Sequence, residues 1–262
     1  MNDNIFHSSR IELSSANLRN NAAFFRDLIG ENCELSFVIK GNAYGHGIRQ
    51  IVPMAEAAGI THFSVFSADE ARTALAVKGK NTRIMIMGYI SDQALPWAIE
   101  NGISFYITCM ERLEAAVGAA ERAGRTAEVH LELETGFHRT GLTERDLPRA
   151  AVILKEHGHR IKVVGTATHY AGAESIANYY RIQKQIEKFN RLCSLMCSLG
   201  IDPGVKHTAC SAATLTYPET RMDMVRVGIA LYGFWPTSET KMNYLLNYCG
   251  EDGGDPVKAP PP

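Results

Sequence analysis

The sequence has no long apolar run, no excess of charge and no basic leader. No stretch stays apolar for long enough to span a bilayer. The N-terminal residues MNDNIFHSSR lack the basic stretch and apolar core of a secretion signal. The formal net charge is −1 at pH 7, so no broad basic surface for nucleic acid or acidic lipid is implied. We therefore expect neither a membrane nor a nucleic acid as a partner.

Cysteine and glycine spacing excludes two further classes of site. The six cysteines contain no Cys-x-x-Cys pair followed by a second one, so a zinc site is not indicated. Cys193 and Cys197 lie four apart in an apparent helix, which favours two packed thiols over a disulfide. No Gly-x-Gly-x-x-Gly follows the first apolar run, which argues against a dinucleotide site. A reduced, cytoplasmic protein without a metal ion is expected.

Helical and extended patterns alternate along the 262 residues. Ser14 or Ser15 can cap a first helix that Gly30 can end, and Ser67 with Glu70 forms a capping box before another. Helical patterns follow at 68–77, 112–123, 147–157 and 180–199. The apolar, β-rich runs lie at 35–40, 62–66, 84–88, 104–108, 129–133, 163–168, 205–209 and 226–231.

Eight such runs joined by helices predict an α/β fold, a parallel (β/α)8 barrel of the TIM type, over residues 1–245. The continuous apolar character of the runs fits strands that are buried on both faces. A doubly wound open sheet would fit the alternation almost as well, because periodicity alone does not separate the two. After Tyr248 the composition turns to glycine, proline and charge, so residues 246–262 are expected to be a disordered or truncated tail.

Polar residues fall where the predicted strands end, which is where a barrel gathers its chemistry. They are Lys40, Glu134, Arg139, His169, Ser211 and Arg226, and Gly228 and Ile229 follow Arg226 in the eighth run. Each has an ordinary structural alternative: Lys40 can be a solvated loop lysine, His169 a satisfied polar residue and Arg226 a member of an ion pair. Loss of hydration at the strand end would depress the pKa of Lys40 and make its amine a nucleophile. Such amines form Schiff bases, including the one that anchors pyridoxal phosphate.

Four motifs in order resemble those of alanine racemases, which use pyridoxal phosphate. They are Lys-Gly-Asn-Ala-Tyr-Gly-His-Gly at 40–47, Thr-Gly-Phe-His-Arg-Thr-Gly at 135–141, Thr-His-Tyr-Ala at 168–171 and Met-Val-Arg-Val-Gly-Ile-Ala-Leu-Tyr-Gly at 224–233. The resemblance covers about residues 10–245. It implies the N-terminal barrel of an enzyme that interconverts L-alanine and D-alanine, supplies D-alanine for cell-wall peptidoglycan, and is a homodimer when complete.

The resemblance also implies roles for the strand-end residues. Lys40 would hold the cofactor covalently and act as one of two acid/base groups. Arg226 would face the pyridine nitrogen and keep it unprotonated, and His169 would support Arg226 beside the cofactor. Arg139 would lie near the phenolic oxygen.

The phosphate site implied by the resemblance combines side chains and backbone. Tyr44, Ser211 and the backbone N–H groups of Gly228 and Ile229 would hold the phosphate, and glycine there lets the backbone approach an anion closely.

The sequence departs from the family pattern at several places. Glu132 stands where the family often has a carbamylated lysine, and its carboxylate is expected to stay ionised and orient Arg139 in a pair worth roughly 1.5–3 kcal/mol. Gly41 and Cys210 replace the usual alanine and asparagine. The family's β-rich C-terminal domain, which supplies a tyrosine across the dimer, has no counterpart after Tyr248, so a form with reduced activity is expected.

Two alternatives stay open. A single-domain barrel family binds pyridoxal phosphate and serves vitamin homeostasis without evident racemase activity; the length suits that family, whereas the motifs at 44–47 and 226–233 suit the racemase better. An α/β binding domain without a cofactor would make all four motif matches accidental. The substrate, whether alanine, serine or another small amino acid, is not determined by these residues.

Overall fold

The computed structural model describes residues 9–248 and has at its centre a sheet of eight parallel strands. The strands are β1 Glu34–Val38, β2 His62–Val65, β3 Arg83–Ile86, β4 Ser104–Ile107, β5 Ala127–Glu132, β6 Ile161–Ala167, β7 Val205–His207 and β8 Met224–Val227. Strands consecutive in the chain pair from β1 to β7, and β8 pairs with β1. The predicted barrel is therefore confirmed, and the doubly wound alternative is wrong.

The barrel closes between β7 and β8 through two backbone hydrogen bonds rather than a regular ladder. Arg226 N–H donates to Ala209 O at 2.9 Å, and Asp223 N–H donates to Lys206 O at 3.1 Å. Because β7 is short, these two bonds bring the end of β8 directly beside the loop that follows β7. Arg226 and Ser211 are thereby brought to the same end of the barrel.

Helices surround the strands, and the five that were predicted begin and end within two residues of their expected positions. They span Ser15–Ile29, Ile48–Ala57, Ala68–Leu75, Leu95–Glu100, Met110–Ala123, Leu147–Glu156, Tyr179–Ser198, Ser211–Thr216 and Ser238–Tyr248, with short 3-10 turns at Ile176–Asn178, Pro218–Thr220 and Ile229–Tyr232. Ser14 caps the first helix by accepting the N–H of Asn17 at 3.2 Å, and Gly30 ends it. None of the described helices is long and apolar enough to cross a membrane.

The two faces of the strands differ, which corrects the expectation of uniformly apolar strands. The outer face packs under the helices with residues such as Phe37, Phe63 and Phe105. The alternate residues turn into the barrel, and most of them are polar: Ser36, His62, Ser64, Ser104, Tyr106, His130, Glu132, His207 and Arg226. The runs read as continuous because apolar residues beyond the strand ends, such as Ile39 and Leu231, are also buried.

The last described helix packs on the first. Tyr244 contacts the rings of Phe24 and Trp235, with centroids 5.7 Å apart in both pairs. Residues 246–248 of the expected tail belong to this helix, and residues 249–262 lie outside the described part of the chain. Disorder of the tail therefore stays a prediction.

Candidate active site

A cavity of about 750 Å³ opens at the carboxyl ends of the strands. All eight residues proposed from the sequence as catalytic or cofactor-binding line it: Lys40, Tyr44, Arg139, His169, Ser211, Arg226, Gly228 and Ile229. Glu132 and Cys210 line it as well, whereas Glu134 does not. The carboxylate of Glu134 instead accepts the backbone N–H groups of Gly136 and His138, and so shapes the loop after β5.

Lys40 follows the end of β1 and begins a left-handed turn. The strand ends at Val38, two residues earlier than predicted, and residues 41–44 have φ values between 51° and 62°. Left-handed conformations cost roughly 1–2 kcal/mol for each L-residue, so the turn needs external support. Ala43 N–H donates to Ile39 O at 2.8 Å, and the Asn42 side chain accepts the N–H of Ile48 at 3.0 Å.

The Lys40 side chain stands at the rim of the cavity. The residue is exposed, so the expected loss of hydration by its amine is not seen in this structure. The turn therefore presents the amine to the cavity through backbone geometry rather than by burying it. Any molecule that fills the cavity would itself exclude water from this amine.

Arg226 is buried at the bottom of the cavity and is held by four hydrogen bonds. Nη1 donates to His207 Nδ1 at 2.8 Å and to the His207 carbonyl oxygen. Nη2 donates to the carbonyl oxygens of Thr168 at 2.8 Å and Thr208 at 3.2 Å. A guanidinium has five N–H groups, so Nε–H is the one left, and it has no hydrogen-bond partner among residues 9–248. Arg226 thus offers a single donor to the cavity, and in the described part of the chain it is not a member of an ion pair.

His207 was not identified from the sequence, although it makes the side-chain contact with Arg226 that was expected of His169. His207 occupies an inward position of the short strand β7, and the available signal was a polar residue at an alternate position of an apolar run. The ring of His169 instead packs edge-on against Phe137, with centroids 5.5 Å apart. Burial, followed by the nearby cations Arg226 and Arg139, lowers the pKa of His169 to about 3, so its imidazole is neutral at pH 7.

One end of the cavity is lined by hydroxyl groups and backbone N–H groups. Ser211 Oγ accepts the N–H of Gly228 at 3.0 Å, and Ile229 begins a 3-10 turn. A Cβ on Gly228 would come within 2.5 Å of the Tyr44 hydroxyl oxygen, so only glycine lets the phenol approach this backbone. Burial raises the pKa of Tyr44, which keeps the hydroxyl protonated and able to donate. This combination suits a bound anion.

Arg139 and Glu132 meet at the side of the cavity, less closely than the sequence suggested. Arg139 Nη2 lies 3.9 Å from Glu132 Oε1, and the Arg139 side chain is 54% exposed. The guanidinium lies over the Phe137 ring, 4.6 Å from its centroid. The closest partner of Glu132 is Thr140, whose hydroxyl donates to Oε2 at 2.7 Å. Burial raises the pKa of Glu132, so its charge is less firmly held than expected.

The loops after β5 and β6 are joined by a buried glutamine that no motif in the sequence indicated. Gln185, on the helix Tyr179–Ser198, donates to Thr135 Oγ1 and to the His169 carbonyl oxygen, both at 3.2 Å. Its side-chain oxygen accepts the N–H of Ala171 at 2.9 Å. The backbone from the His169 carbonyl to Ala171 is therefore fixed from outside the barrel.

Comparison with known sequences finds matches over most of the chain. The family model described as alanine racemase, N-terminal domain, matches residues 13–236. An alanine racemase of Leptospira interrogans is 32% identical over 240 residues, which cover 92% of this chain and 60% of that relative. An alanine racemase of Desulforamulus reducens is 32% identical over 237 residues, covering 90% of this chain and 63% of the relative.

Solved structures that superpose on this chain are also alanine racemases. The alanine racemase of Bacillus anthracis with bound L-Ala-P superposes with a TM-score of 0.84 at 28% identity, covering 91% of this chain and 61% of that one. The alanine racemase of D-cycloserine-producing Streptomyces lavendulae superposes with a TM-score of 0.81 at 32% identity, covering 89% and 61%. The chain spans about 60% of the length of the relatives it matches.

Proposed function

The chain belongs to the family of alanine racemase N-terminal domains, and on that premise we propose that its barrel binds pyridoxal phosphate and works in the interconversion of L-alanine and D-alanine. One cavity carries the exposed amine of Lys40, the Nε–H of Arg226 and the hydroxyls of Tyr44 and Ser211. This convergence supports the proposal more than any other feature.

The residues fit the cofactor at both of its ends. The cavity volume of about 750 Å³ falls within the range of roughly 300–1,000 Å³ that is usual for small-molecule sites. Tyr44, Ser211 and the backbone at Gly228 and Ile229 would hold the phosphate. The Nε–H of Arg226, the one N–H of the guanidinium without a partner among residues 9–248, would donate to the ring nitrogen.

Each side chain then has a definite task. When bound, pyridoxal phosphate supplies an electron sink for the negative charge that develops on the α-carbon of an amino acid. Lys40 would hold the cofactor covalently and would take or return a proton on its own face of the substrate. Arg226, a cation fixed by four hydrogen bonds, would keep the ring nitrogen unprotonated. Arg139, half exposed at the side of the cavity, would lie near the phenolic oxygen.

Racemisation needs a proton to leave from one face of the substrate and to arrive on the other. Lys40 serves one face, and we assign no residue between 9 and 248 to the opposite one. In the complete family enzyme that group would come from the second subunit of a cytoplasmic homodimer, which supplies D-alanine for peptidoglycan. For this barrel we propose cofactor binding and the lysine half of the reaction.

The test of cofactor binding is covalent labelling. The purified chain is incubated with pyridoxal phosphate, reduced with borohydride and digested, and mass spectrometry should locate the label on Lys40. Lys40→Ala should lose the label, whereas Lys80→Ala, an exposed lysine outside the cavity, should keep it. A wild type that takes up no pyridoxal phosphate, or a label that persists in Lys40→Ala, would overturn the assignment.

The test of activity is turnover of L-alanine to D-alanine, with L-serine in parallel. The chain is assayed alone and with the C-terminal domain of a family member appended. One lost acid/base group typically lowers the rate by roughly 10²–10⁴, so the appended form should be faster by a factor in that range. Cofactor binding without turnover in either form would favour the non-catalytic carrier instead.

A further inference from the structure

Arg226 determines where two buried histidines carry their protons. A guanidinium only donates, so His207 Nδ1, which lies 2.8 Å from Arg226 Nη1, accepts. Burial, reinforced by the Arg226 charge, lowers the pKa of His207 well below its usual value, so the ring is neutral. A neutral imidazole that accepts at Nδ1 carries its proton on Nε2. His207 therefore donates from Nε2.

The second histidine, His130, is constrained in the same way. His207 Nε2 lies 2.9 Å from His130 Nδ1, so His130 accepts there. Burial lowers the pKa of His130 to about 3, and its single proton is then on Nε2, which lies 3.2 Å from Ser104 Oγ. The Ser104 hydroxyl can donate onward to the carbonyl oxygen of Ile84 at 3.5 Å. The chain of hydrogen bonds thus runs in one direction, from Arg226 down into the barrel.

The contact of Tyr106 is consistent with His207 Nδ1 being an acceptor. The Tyr106 hydroxyl lies 3.5 Å from His207 Nδ1, the same nitrogen that accepts from Arg226. Burial raises the pKa of Tyr106 to about 12, so the phenol stays protonated and can only add a second, weaker donor to that nitrogen. Among the described residues, no side-chain acceptor lies within hydrogen-bond distance of His207 Nδ1 that would require this nitrogen to donate.

An irregularity in the pairing of β5 with β6 leaves space for the His130 ring at Nδ1. The pairing of β5 with β6 shifts by one residue after Val129, which brings Gly165 opposite His130. A Cβ on Gly165 would come within 2.4 Å of His130 Nδ1 and 2.7 Å of the Val205 carbonyl oxygen. Glycine is therefore the only residue that leaves this nitrogen in place.

We propose that His130 is a positioning residue: by accepting from His207 it holds His207 in the Nε2–H form, and His207 in turn holds Arg226 with its Nε–H facing the cavity. Without the acceptor at His130, the Nε2–H of His207 is buried without a partner, which favours the other neutral form, in which the proton on Nδ1 meets Arg226 donor to donor. The assignment of the protons rests on the hydrogen-bond geometry and on the burial that keeps both imidazoles neutral, whereas the consequence for the cofactor rests on the proposed function.

The first readout is nuclear magnetic resonance of ¹⁵N-histidine-labelled protein, with and without pyridoxal phosphate. Long-range ¹H–¹⁵N correlations distinguish the two neutral forms of each imidazole. His207 and His130 should both show the Nε2–H form in the wild type. In His130→Leu, the Nε2–H signal of His207 should be lost or should appear together with an Nδ1–H signal. His130→Asn should restore the Nε2–H signal, because the amide oxygen can accept in place of Nδ1.

The second readout is the affinity for pyridoxal phosphate, with a matched control in the same chain. Ser104→Ala removes the hydrogen-bond partner of His130 Nε2 and leaves His130 Nδ1 able to accept from His207. It should therefore change the affinity for pyridoxal phosphate less than about 2-fold. His130→Leu should weaken it roughly 5- to 10-fold, the effect of about one hydrogen bond. Such a difference between two neighbouring buried positions is not expected from a general loss of packing.

The outcomes separate the inference from the proposed function. An Nδ1–H signal from His207 in the wild type overturns the proton assignment, and His130→Leu with unchanged signals and affinity overturns the positioning role. Should the leucine variant fail to fold, the wild-type signals still decide the proton assignment, and His130→Phe, which keeps a ring but has no acceptor, takes its place as the test of the positioning role. If the wild-type protein shows the expected Nε2–H signals but takes up no pyridoxal phosphate, the series of hydrogen bonds is supported and the proposed function is overturned.

Discussion

Glu70 accepts the backbone N–H of Gly41, the residue after Lys40, at 2.6 Å through Oε1. Its other oxygen accepts the N–H of Phe66 at 2.8 Å, so one carboxylate joins the loops that follow β1 and β2. The sequence predicted a capping box with Ser67, and only half of it forms: Ser67 Oγ accepts the N–H of Glu70 at 3.3 Å. The carboxylate has instead become the support for the start of the left-handed turn.

Glu70→Gln should loosen the turn that carries Lys40. An amide has one acceptor oxygen in place of two, so either Gly41 or Phe66 loses its partner. Hydrogen bonds to charged groups contribute roughly 1.5–3 kcal/mol, and exposure at this site places the effect at the lower end. Hydrogen exchange at the amides of residues 41–45 should speed up. Asp69→Asn, on the same helix turn, is the matched control, and equal exchange in both variants would contradict the role of Glu70.

Arg226→Lys should destabilise the fold far more than Arg139→Lys. A lysine ammonium has three donors at one point and cannot reach the four acceptors that Nη1 and Nη2 satisfy, which leaves at least one buried carbonyl unpaired. An unsatisfied buried acceptor costs about 1–3 kcal/mol. Arg139 is half exposed, so its change should stay within about 0.5 kcal/mol. Urea unfolding of both variants tests this, and equal midpoints would refute it.

The pair of Glu132 and Arg139 should be weakly coupled. The sequence suggested roughly 1.5–3 kcal/mol, but the two groups are 3.9 Å apart and Arg139 is largely hydrated. A double-mutant cycle with Glu132→Gln and Arg139→Lys should give a coupling below about 1 kcal/mol. A parallel cycle with Thr140→Val should give the larger value, because Thr140 donates to Glu132 at 2.7 Å. A larger coupling to Arg139 would restore the original expectation.

The free energy of unfolding should fall as the pH drops below about 6.5, where histidines of the unfolded chain begin to bind protons. Burial lowers the pKa of His62, His130 and His169 to about 3. It also lowers the pKa of His207 well below its usual value. The folded state cannot take up these protons until far lower pH, so stability is complete above pH 6.5 and is lost on acidification. The raised pKa of Glu132 acts in the opposite direction and offsets part of the loss.

Urea unfolding at pH 7.5, 6.5 and 5.5 measures this dependence. Each buried histidine should contribute a slope of up to about 1.4 kcal/mol per pH unit. His130→Asn should remove one such contribution, and His159→Asn, at an exposed position, should leave the slope unchanged. A wild type with equal stability at pH 7.5 and 5.5 would show that the histidines are not held neutral.

The sequence by itself determined the alternation of eight strands with helices and the membership of the site, whereas the pairing of β8 with β1 decided for the barrel over an open sheet. Ser14, Gly30 and the alternating runs act through local preferences of the backbone, and the residues at strand ends converge in any closed parallel barrel. For that reason all eight proposed site residues line one cavity. The strand ends were predicted one to four residues too late, because apolar residues continue into buried loops.

Only the tertiary structure decided which side chains meet. His130 and His207 are 77 residues apart, and Glu70 and Gly41 are 29 apart, so their contacts depend on strand register and on the shift that brings Gly165 opposite His130. A strand pattern assigns a residue to one of two faces, but closure of the barrel decides which face is inside. The proton positions of His207 and His130 follow from that closure, because it brings Arg226, which can only donate, against His207.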